Sequence, residues 1–128
     1  MAESAPGERT LAVVLNRDLL FGSRIRSSLA MLGLEPRYEP DTERFVAALR
    51  VEVDRVAIAI MDMNGTIDWD ILASALRRLQ NAPPTLAFGP HVDVENRRSA
   101  KAAGVSRIVS NGQFHKDMAG LIDRYRRR

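Results

Sequence analysis

Few side chains in this sequence could do chemistry, and the first of them is Asp62. It ends a short apolar run at residues 55–62 and is followed directly by Met63, Asn64 and Gly65. A run of this length, rich in β-branched residues and closed by polar residues and glycine, is typical of a strand buried on both faces. Ligands in open α/β sheets bind outside the carboxyl ends of the strands. The sequence therefore predicts that Asp62 lies at a functional site.

The other chemical signals indicate no enzyme. His91 could act as a general base near Asp62, but no serine, cysteine or second histidine stands in a matching pattern. No GxGxxG sequence follows the first apolar run and no Walker loop is present, so a nucleotide would lack its phosphate cradle. Trp69 is predicted to pack rather than to hold a ligand. We expect no catalytic residue and no cofactor.

Length and composition describe a small protein inside the cell. At 128 residues the chain fits one domain that can bury a core. It has no cysteine, which excludes disulfides and thiolate metal sites and suits a reducing cytosol. No apolar run approaches the roughly 20 residues of a membrane helix, and the start MAESAPGERT lacks the apolar core of a signal peptide. We expect a cytoplasmic protein without membrane contact.

Arginine supplies most of the positive charge and concentrates at the end of the chain. The formal net charge is +3, and Arg124, Arg126, Arg127 and Arg128 lie among the last residues. Such a cluster could bind nucleic acid or an acidic partner, or it could complement the negative end of a helix macrodipole. Tyr125 is the only ring among these arginines, so base stacking is not indicated. We favour the helix end and expect no nucleic-acid partner.

Short apolar runs alternate with helical stripes along the chain. Residues 1–10 are small, polar and contain proline and glycine, which predicts a flexible tail before a domain at 11–128. The predicted strands are Leu11–Leu15, Leu34–Glu39, Arg55–Asp62, Thr85–Phe88 and Arg107–Ser110. Between them, apolar positions at three- and four-residue steps predict helices. Five strands alternating with five helical segments predict a single doubly wound α/β domain. We expect it to have a flavodoxin-like (βα)5 fold with a parallel sheet of order 2-1-3-4-5.

The chain resembles a known family in its length, its third strand and one later run. The third strand is buried and ends in Asp62, and the run at 102–109 reads Ala-Ala-Gly-Val-Ser-Arg-Ile-Val. Together these features resemble the receiver domain of two-component response regulators, over about residues 11–127. Receiver domains accept a phosphoryl group on an aspartate at the end of the third strand. The resemblance therefore implies that Asp62 is equivalent to the phosphoacceptor.

The remaining positions of the receiver motif differ, which indicates a degenerate pseudo-receiver. Receiver domains use Mg²⁺ held by an acidic pair, a serine or threonine after the fourth strand and a lysine after the fifth. Here Asn16 and Arg17 stand in place of the acidic pair. Gly89 stands in place of the hydroxyl residue and Asn111 in place of the lysine. Phosphoryl transfer depends on positioning and charge stabilisation. Loss of the metal ligands, the hydroxyl residue and the lysine removes most of the groups that provide them.

A metal site is not expected either. Mg²⁺ prefers carboxylates and other hard oxygen ligands, and a guanidinium cannot become one. One alternative stays open, because Asp18 offers a carboxylate one position late. A displaced Mg²⁺ site would then use Asp18, Asp62 and Asn64.

Two arrangements of Arg17 are open. If the sheet winds as predicted, Arg17 and Asp62 lie on neighbouring strand ends, close enough for a charge-assisted pair. Arg17 would then supply permanently the positive charge that Mg²⁺ supplies transiently. In the other arrangement Arg17 points to solvent, and Asp62 braces the loop through Asn64 and Gly65.

The leading hypothesis is a stand-alone pseudo-receiver that acts in signalling through phosphorylation-independent binding to another protein, or to itself as a homodimer. In the receiver family the fourth helix, fifth strand and fifth helix commonly form the interaction surface. The corresponding residues here are Val94, Arg97, Arg98, Arg107 and His115. Two alternatives remain open. One is an atypical but functional receiver phosphorylated on Asp62, and the other is a small-molecule sensor at the carboxyl ends of the strands.

Overall fold

Strands and helices alternate along the chain in a computed structural model, which describes residues 8–128. Its strands are β1 Leu11–Leu15, β2 Glu35–Glu39, β3 Val56–Asp62, β4 Thr85–Gly89 and β5 Arg107–Ser110. Its helices are α1 Leu19–Met31, α2 Thr42–Val51, α3 Trp69–Arg78, α4 Val94–Ala103, α5 Asn111–Lys116 and α6 Met118–Tyr125. None of the helices in this part of the chain is long and apolar enough to cross a membrane.

The five strands form one parallel sheet of order β2-β1-β3-β4-β5. Parallel neighbours need a crossover connection, and helices supply one between each pair of consecutive strands. The central strand β3 is buried along its whole length. The predicted fold class, a doubly wound (βα)5 domain of strand order 2-1-3-4-5, is confirmed.

The sheet is covered on both faces, because alternate residues of each strand point to opposite sides. On one face Met61 of β3 belongs to the same core cluster as Phe45 of α2 and Leu72 of α3. On the other face Ile60 belongs to a cluster with Leu29 of α1. A strand that packs on both faces has no polar side, which explains the continuous apolar run before Asp62.

Aspartates begin four helices at the carboxyl edge of the sheet. In each case the side chain accepts a hydrogen bond from a backbone N–H of the first helical turn, which would otherwise lack a partner. The caps are Asp18 for α1, Asp41 for α2, Asp68 for α3 and Asp93 for α4. Several carboxylates near the ends of the strands are therefore committed to capping.

The last helical segment differs from the prediction, because it consists of two helices. Ser110 and Gln113 form a capping box that starts α5 directly after β5. Asp117 leaves the helical conformation at φ −143° and ψ 50°, and this residue separates α5 from α6. The apolar stripe of the sequence indicated only α6, since Phe114 is the one buried residue of α5.

Arg127 connects several segments at the opposite edge of the sheet, where the strands begin. Its guanidinium donates to the carbonyls of Val56 at 2.9 Å, Asn81 at 2.8 Å and Val53 at 2.7 Å. Burial lowers the pKa of Arg127, and neighbouring Arg9 adds to this effect, yet an arginine stays charged. One side chain thus joins the segment after α2, the start of β3 and the loop before β4.

Residues 9 and 10 also contact this edge. Arg9 Nη1 donates to the carbonyl of Arg128 at 2.7 Å, and the carbonyl of Thr10 accepts from the backbone N–H of Glu35 at 2.7 Å. Residues 1–7 of the expected tail lie outside the described residues. The flexible tail therefore stays a prediction.

We expect Arg127→Ala to lower the free energy of unfolding by about 2–4 kcal/mol, because three carbonyls lose a charged donor. Arg124→Ala removes the same charge from an exposed position and is expected to change it by less than about 0.5 kcal/mol. Chemical denaturation of both variants measures the difference. Equal losses would show that charge, and not the three hydrogen bonds, explains the effect.

Candidate functional site

Asp62 lies at the carboxyl edge of the sheet, as the last residue of the central strand β3. Its neighbours in the sheet are β1 and β4, and the residue is only 7% exposed. A buried carboxylate is strongly destabilising unless it is paired or hydrogen-bonded. The site can therefore be understood from the partners of this one side chain.

Two asparagines supply those partners. Asn16 Nδ2 donates to Oδ2 of Asp62 at 2.9 Å. Asn64 donates twice to Oδ1, from its backbone nitrogen at 2.8 Å and from Nδ2 at 2.7 Å. Both carboxylate oxygens are thus hydrogen-bonded by neutral groups. Among residues 8–128, no cationic side chain forms an ion pair with Asp62.

A reciprocal amide pair extends these contacts to α5. Asn64 Nδ2 donates to Oδ1 of Asn111 at 3.0 Å, and Asn111 Nδ2 donates to Oδ1 of Asn64 at 2.9 Å. A side-chain amide carries two N–H donors, so Asn64 can serve Asp62 and Asn111 at once. We call Asn16, Asp62, Asn64 and Asn111 the asparagine network. It links the ends of β1 and β3 to the first residue of α5.

The Arg17 side chain is not among the partners of Asp62. Arg17 is exposed, and no ion pair joins it to Asp62 in the described part of the chain. The hypothesis that Arg17 supplies a permanent charge to Asp62 is therefore wrong for this structure. The other arrangement is observed, with Asp62 bracing the loop through Asn64. Asn16 and Asn64 already satisfy the carboxylate, and Arg17 keeps its hydration in solvent.

Gly89, which the resemblance placed at the position of the receiver hydroxyl, has little space for a side chain. It is buried at the end of β4, and a Cβ built there would lie 3.0 Å from Cβ and 3.3 Å from Cε of Met63. Interiors packed at this density leave no room for an added side chain without a shift. Met63, directly after Asp62, thus occupies the space that a serine or threonine would need.

The residues present do not fit a Mg²⁺ site. Mg²⁺ needs near-octahedral oxygen ligands. Oδ1 of Asp18 caps α1 by accepting from the backbone N–H of Leu20 at 2.8 Å, and both oxygens of Asp62 accept from amides. Within residues 8–128, no three histidines, cysteines or acidic residues are grouped to hold a metal ion. At the alternative site of Asp18, Asp62 and Asn64, both oxygens of Asp62 and one oxygen of Asp18 already accept hydrogen bonds.

Two cavities flank the loop between β1 and α1. One, of about 300 Å³, is lined by Asn16, Arg17, Asp18, Asp62, Asn64 and Thr66 among others. The other, of about 400 Å³, lies against α1 and Tyr38. The Tyr38 hydroxyl donates to the carbonyl of Gly22 at 2.5 Å, and burial raises the pKa of Tyr38, which favours this protonated donor. The first cavity is the one in contact with Asp62.

Four of the five residues of the predicted interaction surface are exposed. Val94, Arg97 and Arg98 are exposed on α4. They lie three and four residues apart and so share one side of the helix. Arg107 is exposed on the edge strand β5, with its guanidinium 5.6 Å from the ring centroid of Tyr125.

His115, the fifth predicted residue, packs against α1. Its ring contacts the guanidinium of Arg24 and lies 4.5 Å from the ring of Phe21, both on α1. Its place in the interaction surface stays a prediction.

Several exposed apolar residues fall outside the sequence-based site. Leu19 and Leu20 are exposed at the start of α1, and Val92 is exposed just before α4. The sequence indicated the exposure of Leu19 and Leu20, since both lie outside the apolar stripe of α1 that begins at Phe21 and continues at Ile25. For Val92 no helical stripe gave such a signal.

Solved structures of receiver domains superpose on most of this chain. The receiver domain of a sensor histidine kinase from Pseudomonas aeruginosa has a TM-score of 0.74 at 14% identity, over 91% of this chain and 97% of that one. That structure holds a magnesium ion in its active-site cleft. Chemotaxis protein CheY4 of Vibrio cholerae has a TM-score of 0.72 at 14% identity, over 91% and 98% of the two chains. The chain has the receiver fold.

A third solved structure also has a similar fold at low sequence identity. The CheY-like protein TadZ of Pseudomonas aeruginosa matches with a TM-score of 0.68 at 19% identity, over 91% of this chain and 99% of that one. No protein-family model and no curated protein matches the chain. Likeness at such low identity establishes the fold and leaves the chemistry to the residues of the site.

We expect Asn16→Ala to lower the free energy of unfolding by about 1–3 kcal/mol, because one oxygen of a buried carboxylate loses its donor. Arg17→Ala, the adjacent exposed position, is expected to change it by less than about 0.5 kcal/mol. Urea denaturation at neutral pH measures both. A larger loss for Arg17→Ala than for Asn16→Ala would contradict the assigned partners of Asp62.

Proposed function

We propose that this chain is a cytoplasmic, receiver-like signalling protein that binds another protein without phosphorylation, catalysis or a cofactor. The state of Asp62 carries the proposal. Its two oxygens already accept three hydrogen bonds from Asn16 and Asn64. The fold shared with receiver domains supports a role in signalling.

A phosphoryl group on Asp62 would bring negative charge to a side chain that forms no ion pair among residues 8–128. Phosphoryl transfer depends on metal ions and cationic side chains that neutralise this charge. Asn111 stands where the resemblance places the receiver lysine and carries no charge, and a Cβ at Gly89 would lie 3.0 Å from Cβ of Met63. The incoming group would also have to displace Asn16 or Asn64. These features favour a single fixed state over a phosphorylation switch.

The start of α4 offers a surface for the partner. Val92 and Val94 are 72% and 59% exposed, and Arg97 and Arg98 beside them are exposed as well. We call these four residues the α4 patch. Interfaces are enriched in apolar residues at their centre and in arginine, so the composition of the α4 patch suits protein binding.

The charge of this region favours an acidic partner. Arg97, Arg98 and Lys101 on α4 face only one acidic neighbour of the same helix, Glu95, and Arg107 adds a further charge on β5. Complementary charge accelerates association and selects the partner. A twofold homodimer through this patch would bring two patches of the same positive charge together, because both copies contribute the same surface. An acidic protein surface is therefore favoured over a second copy of the chain.

A second candidate function is a small-molecule sensor. The cavity of about 300 Å³ beside Asp62 presents amide, carboxylate and guanidinium groups from Asn16, Asn64, Asp18 and Arg17. Its volume falls at the lower end of the range of ligand pockets. A ligand that displaced Asn64 from Asp62 would also loosen the contact of Asn64 with α5.

We expect Mg²⁺ with a small-molecule phosphoryl donor, or with a fluoride-based phosphoryl mimic, to leave the environment of Asp62 unchanged. The hydrogen-bond donors to this carboxylate are neutral, and residues 8–128 hold no group of three histidines, cysteines or acidic residues that could bind a metal ion. Backbone and side-chain amide NMR signals of Asn16, Asn64 and Asn111 report the outcome, and a receiver domain known to take up the phosphoryl group serves as the positive control. Mg²⁺-dependent shifts at these signals would support the alternative of a functional receiver phosphorylated on Asp62.

The α4 patch is tested by the double variant Val94→Asp, Arg98→Glu. We expect a partner captured by the wild-type chain to bind this variant at least about tenfold more weakly, as for loss of an interface hot spot. The matched control is Val51→Asp, Arg50→Glu, which makes the same changes on exposed positions of α2. Its affinity is expected to equal that of the wild type in titrations with the purified partner.

Two outcomes would contradict the α4 proposal. If the control variant loses the partner equally, binding depends on overall charge and not on α4. If sedimentation shows a wild-type dimer that the α4 variant abolishes, the patch binds a second copy of the chain.

A further inference from the structure

Two of the asparagines are followed by glycine, and they are the two that bond to each other. These steps are Asn64-Gly65 and Asn111-Gly112, and the two amides exchange hydrogen bonds at 3.0 Å and 2.9 Å. An asparagine before glycine is prone to deamidation, because glycine has no side chain to hinder the attack of its backbone nitrogen on the amide carbon. The asparagine network therefore contains two labile positions.

Only one of the two steps is placed to react. Asn64 is exposed in the turn between β3 and α3, and a Cβ built on Gly65 would meet nothing within 4 Å. Asn111 is the first residue of α5, and Gly112 follows it in the same helix. A helical backbone directs the Gly112 nitrogen along the helix and away from Cγ of Asn111. The turn at Asn64 imposes no such restraint.

We propose that Asn64 is a deamidation site that adds a second carboxylate beside Asp62. The backbone nitrogen of Gly65 gives up its proton and bonds to Cγ of Asn64, while the bond from Cγ to Nδ2 breaks and ammonia leaves with a proton. The resulting five-membered succinimide then takes up one water. Opening of the ring yields aspartate or isoaspartate at position 64.

Deamidation changes what surrounds Asp62. Nδ2 of Asn64 donates to Oδ1 of Asp62 at 2.7 Å and to Oδ1 of Asn111 at 3.0 Å, and an oxygen in its place donates to neither. Two carboxylates then face each other, which favours protonation of one of them. The link to α5 keeps only the hydrogen bond donated by Asn111. The reaction is independent of the binding function proposed above, and it would convert the fixed state of the site into an altered one with time.

The test is a time course on the full, folded chain at mildly alkaline pH. Mass spectrometry of proteolytic peptides quantifies aspartate and isoaspartate at positions 64 and 111. We expect conversion at Asn64 before Asn111, and Gly65→Ala is expected to slow it strongly. Alanine fits at Gly65, where space is open and φ is not positive. The matched control is Gly112→Ala, whose Cβ would approach Ser110 Oγ no closer than 3.9 Å, and it is expected to react at Asn64 like the wild type.

A further variant tests whether the amide pair restrains the reaction. Asn111→Ala removes one of the two side-chain partners of Asn64. Deamidation at Asn64 is then expected to accelerate about fivefold, the factor that corresponds to one hydrogen bond. An unchanged rate would overturn the restraint by Asn111. The proposal that Asn64 is a deamidation site is overturned if Asn64 stays intact in the folded chain while the urea-denatured chain deamidates. It is also overturned if Gly65→Ala converts at the wild-type rate.

Discussion

The carboxylate of Asp62 is buried at the end of the central strand and is satisfied by hydrogen bonds from neutral groups alone. This constraint organises the carboxyl edge of the sheet, because an unpaired buried charge is strongly destabilising. One donor comes from Asn16 after β1 and two come from Asn64 after β3. The second N–H of Asn64 reaches Asn111, so the same constraint connects the loop after β3 to α5.

Backbone groups without backbone partners are hydrogen-bonded by different side chains at the two ends of the strands. Helices begin at the carboxyl edge, where their first N–H groups lack partners, and aspartate side chains such as Asp18 and Asp93 accept from them. At the other edge carbonyls need donors, and Arg127 supplies three N–H groups to them. Two of the four C-terminal arginines, Arg126 and Arg127, thus donate to backbone carbonyls and do not form a free basic surface.

The fold of this chain and the residues at the carboxyl ends of its strands are separate observations. The strand order is that of the receiver fold. At the positions where the resemblance implied a hydroxyl residue and a lysine, Gly89 packs against Met63 and Asn111 bonds to Asn64. Asn16, Gly89 and Asn111 each have a hydrogen-bonding or packing role in this structure, whereas Arg17 is exposed. A fold fixes where a site can lie, and the side chains at that place set what it can do.

The sequence by itself determined the fold class and the position of Asp62 at the end of a buried strand, because buried parallel strands and amphipathic helices leave strong periodic patterns. The strand order was an expectation for this fold class, and the structure confirms it. Tertiary structure decided the rest. The partners of Asp62 lie 46 and 2 residues away along the chain, and no local pattern distinguishes Asn16 from the adjacent Arg17 as the donor. The direction of His115 depends on its contacts with α1. Such choices follow from which side chains meet in space, and only the packed structure brings them together.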